Sequence, residues 1–171
     1  AWAVHFVRQV KPRMSLFLNV MRDQLDRFGE IDTAAEMLAK NAEAATEAVI
    51  LNRDDPRVYR IRERAKAEAV YFGTTDELLA LMPTDDTLKG GQARANHEAH
   101  ADVLLKAIDG RRATYEIDGA EHVVEMSLGG VYNLINAAAA LTLVRRIVGD
   151  AVSTQKLLEA LGNVRPAFGR G

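Results

Sequence analysis

The chain has 171 residues, 48% apolar and 27% charged, which fits a single globular domain able to bury a core and excludes disordered, collagen-like and disulfide-rich classes. Lys and Arg total 22 against 24 Asp and Glu, a net charge of -2, and this argues against a dominant nucleic-acid or anionic-membrane surface. With no Cys there can be no disulfide, thiol nucleophile or thiolate metal site, and the longest apolar run, 137–144, is far short of a membrane span, so we expect a cytoplasmic chain with no transmembrane segment.

In chain order, Val4, Phe6, Val7 and Val10 share roughly one helical face, and Pro12 ends that helix. Residues 13–20 carry Met14, Leu16, Phe17, Leu18 and Val20, the character of a parallel-sheet strand buried on both faces. Thr33 and Glu36 have the spacing of a capping box, with Ala34, Ala35, Leu38, Ala42 and Ala45 at helical spacing behind them, which predicts a helix over 33–47. A second buried strand over 48–52 runs into Asp54-Asp55-Pro56, an N-cap acid followed by proline at the first helical position, so a helix over 56–66 follows. A third strand over 68–72 is closed by Gly73. This alternation predicts an α/β fold, a mainly parallel sheet flanked by helices.

The character changes after Gly73. Residues 74–101 contain Pro83, Gly90 and Gly91 and read as a short helix near 76–81 and a polar loop. Segments 102–108, 112–117 and 122–126 are separated by Asp109-Gly110 and Asp118-Gly119, the preferred two-residue hairpin turn, which predicts a small antiparallel β-meander. Two helices complete the pattern: an Ala-rich one over 132–148, and one over 153–161 capped by Ser153 and stopped by Gly162.

Three segments could carry chemistry. Residues 19–29, Asn-Val-Met-Arg-Asp-Gln-Leu-Asp-Arg-Phe-Gly, follow a buried parallel strand, at the sheet edge where open α/β folds place ligands. Their carboxylates, guanidiniums and amides suit a metal, phosphates or a peptide, or simply a solvated loop with local ion pairs. Residues 51–56, Leu-Asn-Arg-Asp-Asp-Pro, lie at the same edge, where helix capping alone accounts for Asp55. Gly129-Gly130 precedes Asn133 and Asn136, three residues apart on one helix face and expected on its first turn. A carboxamide donates and accepts together, which suits an adenine edge, although Asn133 also reads as an ordinary cap. His5, His97, His100 and His122 lack metal-ligand spacing and an obvious carboxylate partner, and the sequence contains neither a Gly-x-Ser-x-Gly elbow nor a Gly-x-x-x-x-Gly-Lys-Ser/Thr phosphate loop.

Taken together, these segments resemble the central domain of the Mur ligase family, over nearly the whole chain and in the right order. The Arg22-Asp23-Gln24-Leu25-Asp26-Arg27-Phe28-Gly29 stretch is similar to the MurT-like branch, where most other members have Asp-His; 51–56 resembles the family's Asn-x-Asp-Asp-Pro; 130–138 resembles its glycine, paired-asparagine and alanine pattern; and 166–170 resembles the segment joining the central and C-terminal domains. The resemblance implies the ATP-binding domain of an ATP- and Mg2+-dependent carbon-nitrogen ligase that activates a carboxylate as an acyl phosphate for attack by an amine. In the MurT-like branch that carboxylate is the D-glutamate α-carboxylate of lipid II, and ammonia comes from a GatD-like glutaminase.

Carried over by position, the resemblance implies that Asn136 contacts adenine with Asn133 nearby, Arg170 reaches the ATP phosphates, and Asp23 and Gln24 stand at the magnesium-phosphate edge. The start at Ala1 and the end after Phe168-Gly169-Arg170-Gly171 lead us to expect a domain over 1–171 truncated at both ends and inactive alone. MurT-like proteins usually carry a four-cysteine zinc ribbon where this chain has the Cys-free stretch 74–101, so no zinc is expected, and Lys40 is out of register with the modified lysine of some relatives. The competing expectations are another Mur or folylpolyglutamate-type amino-acid ligase, and a non-catalytic nucleotide-binding fragment.

Overall fold

The computed structural model describes residues 2–21, 30–82, 84, 87–92 and 94–165. After helix α1 (Trp2–Gln9), the chain lays down β1 (Met14–Phe17), α2 (Ile31–Ala42), β2 (Ala48–Asn52), α3 (Pro56–Arg60) and β3 (Glu68–Thr74). Then come α4 (Asp76–Leu79), β4 (Val103–Asp109), β5 (Arg112–Ile117), β6 (Ala120–Glu125), α5 (Val131–Val148) and α6 (Thr154–Gly162). The strands form one six-stranded sheet in sequence order. β1 to β4 are mutually parallel, with Leu16 opposite Ile50, Ile50 opposite Val70, and Phe72 opposite Val103; β4, β5 and β6 are antiparallel. The expected antiparallel meander is β4, β5 and β6, and β4 also pairs with β3, so the meander continues the parallel sheet. Its second turn has positive φ at both Asp118 (53°) and Gly119 (78°), the handedness that matches the twist of a hairpin.

β2 shows why the sheet is covered on both sides. Its four apolar residues are completely buried, and alternation sends Val49 and Leu51 to one face and Ala48 and Ile50 to the other. Val49 and Leu51 meet Ile31, Ala39 and Ala42 of α2 and Val58 of α3, while Ile50, Phe72 and Leu105 meet Leu134, Ala138 and Ala139 of α5. Small alanines let α5 lie close to the strands. By length and composition alone α5 could cross a membrane, but it packs on β2, β3 and β4 as the core helix. Burial pushes the Tyr115 phenol well above its ordinary range, and its hydroxyl donates to Leu134 O (3.0 Å), tying β5 to the start of α5.

Several local expectations need correction. The strand over 13–20 lies at a sheet edge with only Phe17 of its four residues buried, and it stops at Phe17 because Asn52 at the end of β2 and Asp55 beyond it take Leu18 O and Val20 N. The Thr33–Glu36 capping box does not form. Helix α2 starts earlier, with Glu30 at the N-cap, so Thr33 falls inside the first turn, and Glu36 pairs with Arg64 (3.0 Å) instead. The helix over 56–66 is α-helical only to Arg60 and tightens into a 3-10 turn over Ile61–Glu63. Gly73 does not close β3, which runs on to Thr74, and Gly162 is the last residue of α6, close against Glu125 O.

Candidate functional site

β1, β2 and β3 run in one direction, so the segments after them share the carboxyl edge of the sheet. The polar run from Asn52, the last residue of β2, to Asp55 organises that edge. Asn52 donates from Nδ2 to Leu18 O (2.9 Å) and accepts at Oδ1 from Asp54 N (3.0 Å). Asp55 caps α3, accepting at Oδ1 from Arg57 N and Val58 N (both 2.9 Å), and its Oδ2 accepts from Val20 N (2.7 Å). One carboxylate thus fixes both a helix start and the segment leaving β1. Capping explains only half of its role.

Asp54 faces the other way. Oδ2 accepts from Thr74 N (2.7 Å) at the end of β3 and Oδ1 from Asn96 N (2.8 Å). Arg53, also buried, donates from Nη1 to Ala99 O (2.8 Å), and its Nε lies 3.5 Å from Asp54 Oδ1. Burial pushes the Asp54 and Asp55 carboxyls above the usual carboxylate range, partly offset by the N–H groups that each accepts. Gly73 belongs to this assembly: a Cβ there would stand 2.6 Å from Arg53 Nε and 2.7 Å from Asp54 Oδ2, so the buried ion pair requires a bare backbone.

Around these groups lies a small cavity of about 50 Å³, lined by Asn19 and Met21 after β1, by Asn52 at the end of β2 with Asp54 and Asp55 after it, and by Thr74 at the end of β3 with Leu79 and Met82 beyond it. Its helical wall is Tyr132 and Ile135 of α5. Asn133 and Asn136 are exposed on the same helix. Because α5 starts at Val131, Asn133 lies in the first turn and Asn136 in the second, one turn later than expected. Asn133 donates from Nδ2 to Gly129 O (2.7 Å), whereas Asn136 makes no hydrogen bond to another described residue and keeps its carboxamide available for a planar base edge.

Asp23 and Gln24, with the whole of 22–29, and Arg170, with 166–171, lie outside the described residues. Asp54 and Asp55 are already committed to backbone N–H groups, and among the described residues no group of three or more His, Asp and Glu is placed to hold a metal ion. Neither Asn133 nor Asn136 is among the residues that line the cavity, whose α5 wall is Tyr132 and Ile135. Sequence reading missed the carboxylate beside His97: its Nε2 lies 3.4 Å from Asp76 Oδ2. Ala95 N and His97 hold the Asp76 carboxyl below the ordinary range. Sequence reading also missed Arg53, Asp54, Thr74 and Asn96 as one connected group. A dense polar run directly after the most buried strand was the available signal.

The described architecture recurs in solved structures. A pseudomurein peptide ligase type C from Methanothermus fervidus superimposes with a TM-score of 0.72 and 18% identity over 95% of this chain and 36% of that one. In sequence, the chain is 29% identical over 94% of its length to the MurT subunit of lipid II isoglutaminyl synthase (glutamine-hydrolyzing) from Streptococcus pneumoniae, strain ATCC BAA-255 / R6, and 28% identical over 82% to the same subunit from Staphylococcus aureus, strain COL. It spans 41% and 37% of the lengths of those two relatives. The family model for the Mur ligase middle domain matches residues 2–144, from α1 through the sheet and into α5. The chain belongs to the Mur ligase middle domain family.

Proposed function

We propose that this chain is the middle, nucleotide-binding part of an ATP-dependent amide ligase of peptidoglycan synthesis that converts the D-glutamate α-carboxylate of lipid II to the carboxamide of D-isoglutamine. The observation that carries the reading is similarity to MurT subunits across most of the chain, and the resemblance of Arg22-Asp23-Gln24 to the MurT-like branch supports it. When bound, ATP with Mg2+ supplies the phosphoryl group that turns the carboxylate into an acyl phosphate; ammonia then forms the C–N bond and phosphate leaves. A GatD-like glutaminase would supply the ammonia in the cytoplasm.

The residues of this chain bind and orient. Asn136 reads the adenine edge with its free carboxamide, with Asn133 beside it. Asp23 and Gln24 hold the magnesium-phosphate edge, and Arg170 offers a guanidinium matched to phosphate oxygens. Asn52 and Asp55 position the segment after β1 from which Asp23 and Gln24 follow. Positioning and charge neutralisation account for nearly all of phosphoryl-transfer catalysis, and this chain contains no phosphate-loop motif, so we expect no ligase turnover from it alone.

The test uses a full-length protein containing this chain, with ATP, Mg2+ and lipid II, and either ammonium or a glutaminase with glutamine. Mass spectrometry of the product should show a carboxamide in place of the carboxylate. A product that carries an added amino acid, with no amidation, would refute the proposal and identify an amino-acid ligase. In the same protein, Asn136→Ala should raise KM for ATP about fivefold with kcat little changed, the result of losing roughly 1 kcal/mol of uniform binding.

A further inference from the structure

Asp54 also lines a second cleft, of about 330 Å³, between α3 and the 94–98 segment. Four guanidiniums line it: Arg53, Arg60, Arg62 and Arg94. Elsewhere on the molecule, guanidiniums commonly face carboxylates, as in Arg13 with Glu47, Arg64 with Glu36 and Arg145 with Asp118. In the cleft the balance differs. Arg53 is matched by Asp54, and Arg62 lies 3.7 Å from Glu63. Among the described residues Arg94 donates to the neutral amide of Gln92 (3.3 Å) and forms no ion pair, though its charge reaches the Asp76 carboxyl, and Arg60 is exposed with no ion pair to another described residue. Two guanidiniums without an ion pair among the described residues therefore line the cleft with one remaining carboxylate, Glu98, while Asp76 beyond the lining offsets part of the Arg94 charge.

The cleft is also partly preorganised. The Arg62 guanidinium carbon lies over the Tyr59 ring, 3.8 Å from its centroid, and Nη1 donates to Tyr59 O (3.2 Å), which restrains an otherwise flexible side chain. Arg53 is held in place by Ala99 O, and its buried Nε has no hydrogen-bond partner among the described residues. Rigid guanidinium forks recognise planar or tetrahedral oxyanions through paired, charge-assisted hydrogen bonds, and they lose less entropy in doing so than a free lysine would.

We propose that this cleft binds an oxyanion, phosphate or carboxylate, carried by a ligand separate from the group bound at the carboxyl-edge cavity. Arg60 and Arg94 make the primary contacts, and Arg62 on its Tyr59 platform adds a third. Asp54 lines both cavities, so occupancy of the cleft bears on the same carboxylate that holds Thr74 N and Asn96 N. The proposal does not depend on the ligase reading.

The test is titration of this chain with sodium pyrophosphate and, separately, with a γ-glutamyl dipeptide, each followed by amide chemical shifts. Binding that moves the amides of 59–63 and 94–98 is expected with at least one probe, and which probe binds identifies a phosphate-bearing or a carboxylate-bearing ligand. Arg60→Ala with Arg94→Ala should weaken binding about tenfold or more, while Arg13→Ala should leave it unchanged. Both altered side chains are exposed, and thermal melting of each variant checks that the fold persists. The proposal is overturned if neither probe moves those amides up to about 10 mM, a ceiling for useful affinity, if shifts occur only around Asn19 and Tyr132, or if Arg13→Ala weakens binding equally.

Discussion

Asp55 is a single side chain on which two elements depend, so its removal tests the account of the carboxyl edge. In Asp55→Ala, Arg57 N and Val58 N lose the cap of α3 and Val20 N loses the acceptor it has among the described residues. Loss of the cap costs about 1 kcal/mol. Leaving the Val20 N–H buried without a partner costs a further 1–3 kcal/mol, roughly. Relief of burying a carboxylate, visible in its raised pKa, returns part of this, and we expect a net loss of about 2–3 kcal/mol. For a chain of this size that corresponds to a Tm lower by roughly 4–12 °C. Asp55→Asn should fall between, since one oxygen can still cap while the amide nitrogen meets Val20 N as donor against donor. Urea unfolding gives the free energy, and hydrogen exchange at the Val20 amide reports the anchor directly. If Asp55→Ala costs less than about 0.5 kcal/mol and Val20 keeps its protection, the segment after β1 is held by something else and the reasoning fails.

Gly73→Ala should destabilise the fold by about 1–3 kcal/mol, because the new methyl displaces Arg53 or Asp54 from a buried pair; urea melts decide, and a neutral effect would mean that Arg53 can move freely. Tyr115→Phe should cost about 0.5–1.5 kcal/mol with no change in the urea m-value, since it removes one buried hydrogen bond to Leu134 O and leaves the packing intact. For Asp54 the sign follows from its raised pKa. Between the unfolded and folded pKa values the native state binds more protons, so stability falls as pH rises from about 4 through the raised value. The stability advantage of wild type over Asp54→Asn, measured by urea melts between about pH 4 and 7, should shrink as pH rises, and an advantage that grows instead would contradict the burial argument.

Features governed by neighbours in sequence were legible in the sequence. The Asp55-Pro56 start of α3, the Ser153 cap of α6, the buried strand 48–52, the Asp118-Gly119 turn and the long alanine-rich helix each follow from steric, capping or periodicity rules acting over a few residues. The same locality made Asn133 readable as a helix-start carboxamide, though it misplaced Asn136 by one turn and could not say that Tyr132 and Ile135 would form the cavity wall. What the tertiary structure decided was how groups far apart in sequence share buried space. It shortened β1, because Asn52 and Asp55, more than thirty residues away, take the backbone of Leu18 and Val20. It drew Glu36 from a local cap to Arg64, gave Gly73 its purpose beside Arg53, and joined the meander to the parallel sheet through β3 and β4. Buried polar atoms must find partners wherever the fold brings them, and a partner chosen across the sheet leaves no trace in the spacing of residues along the chain.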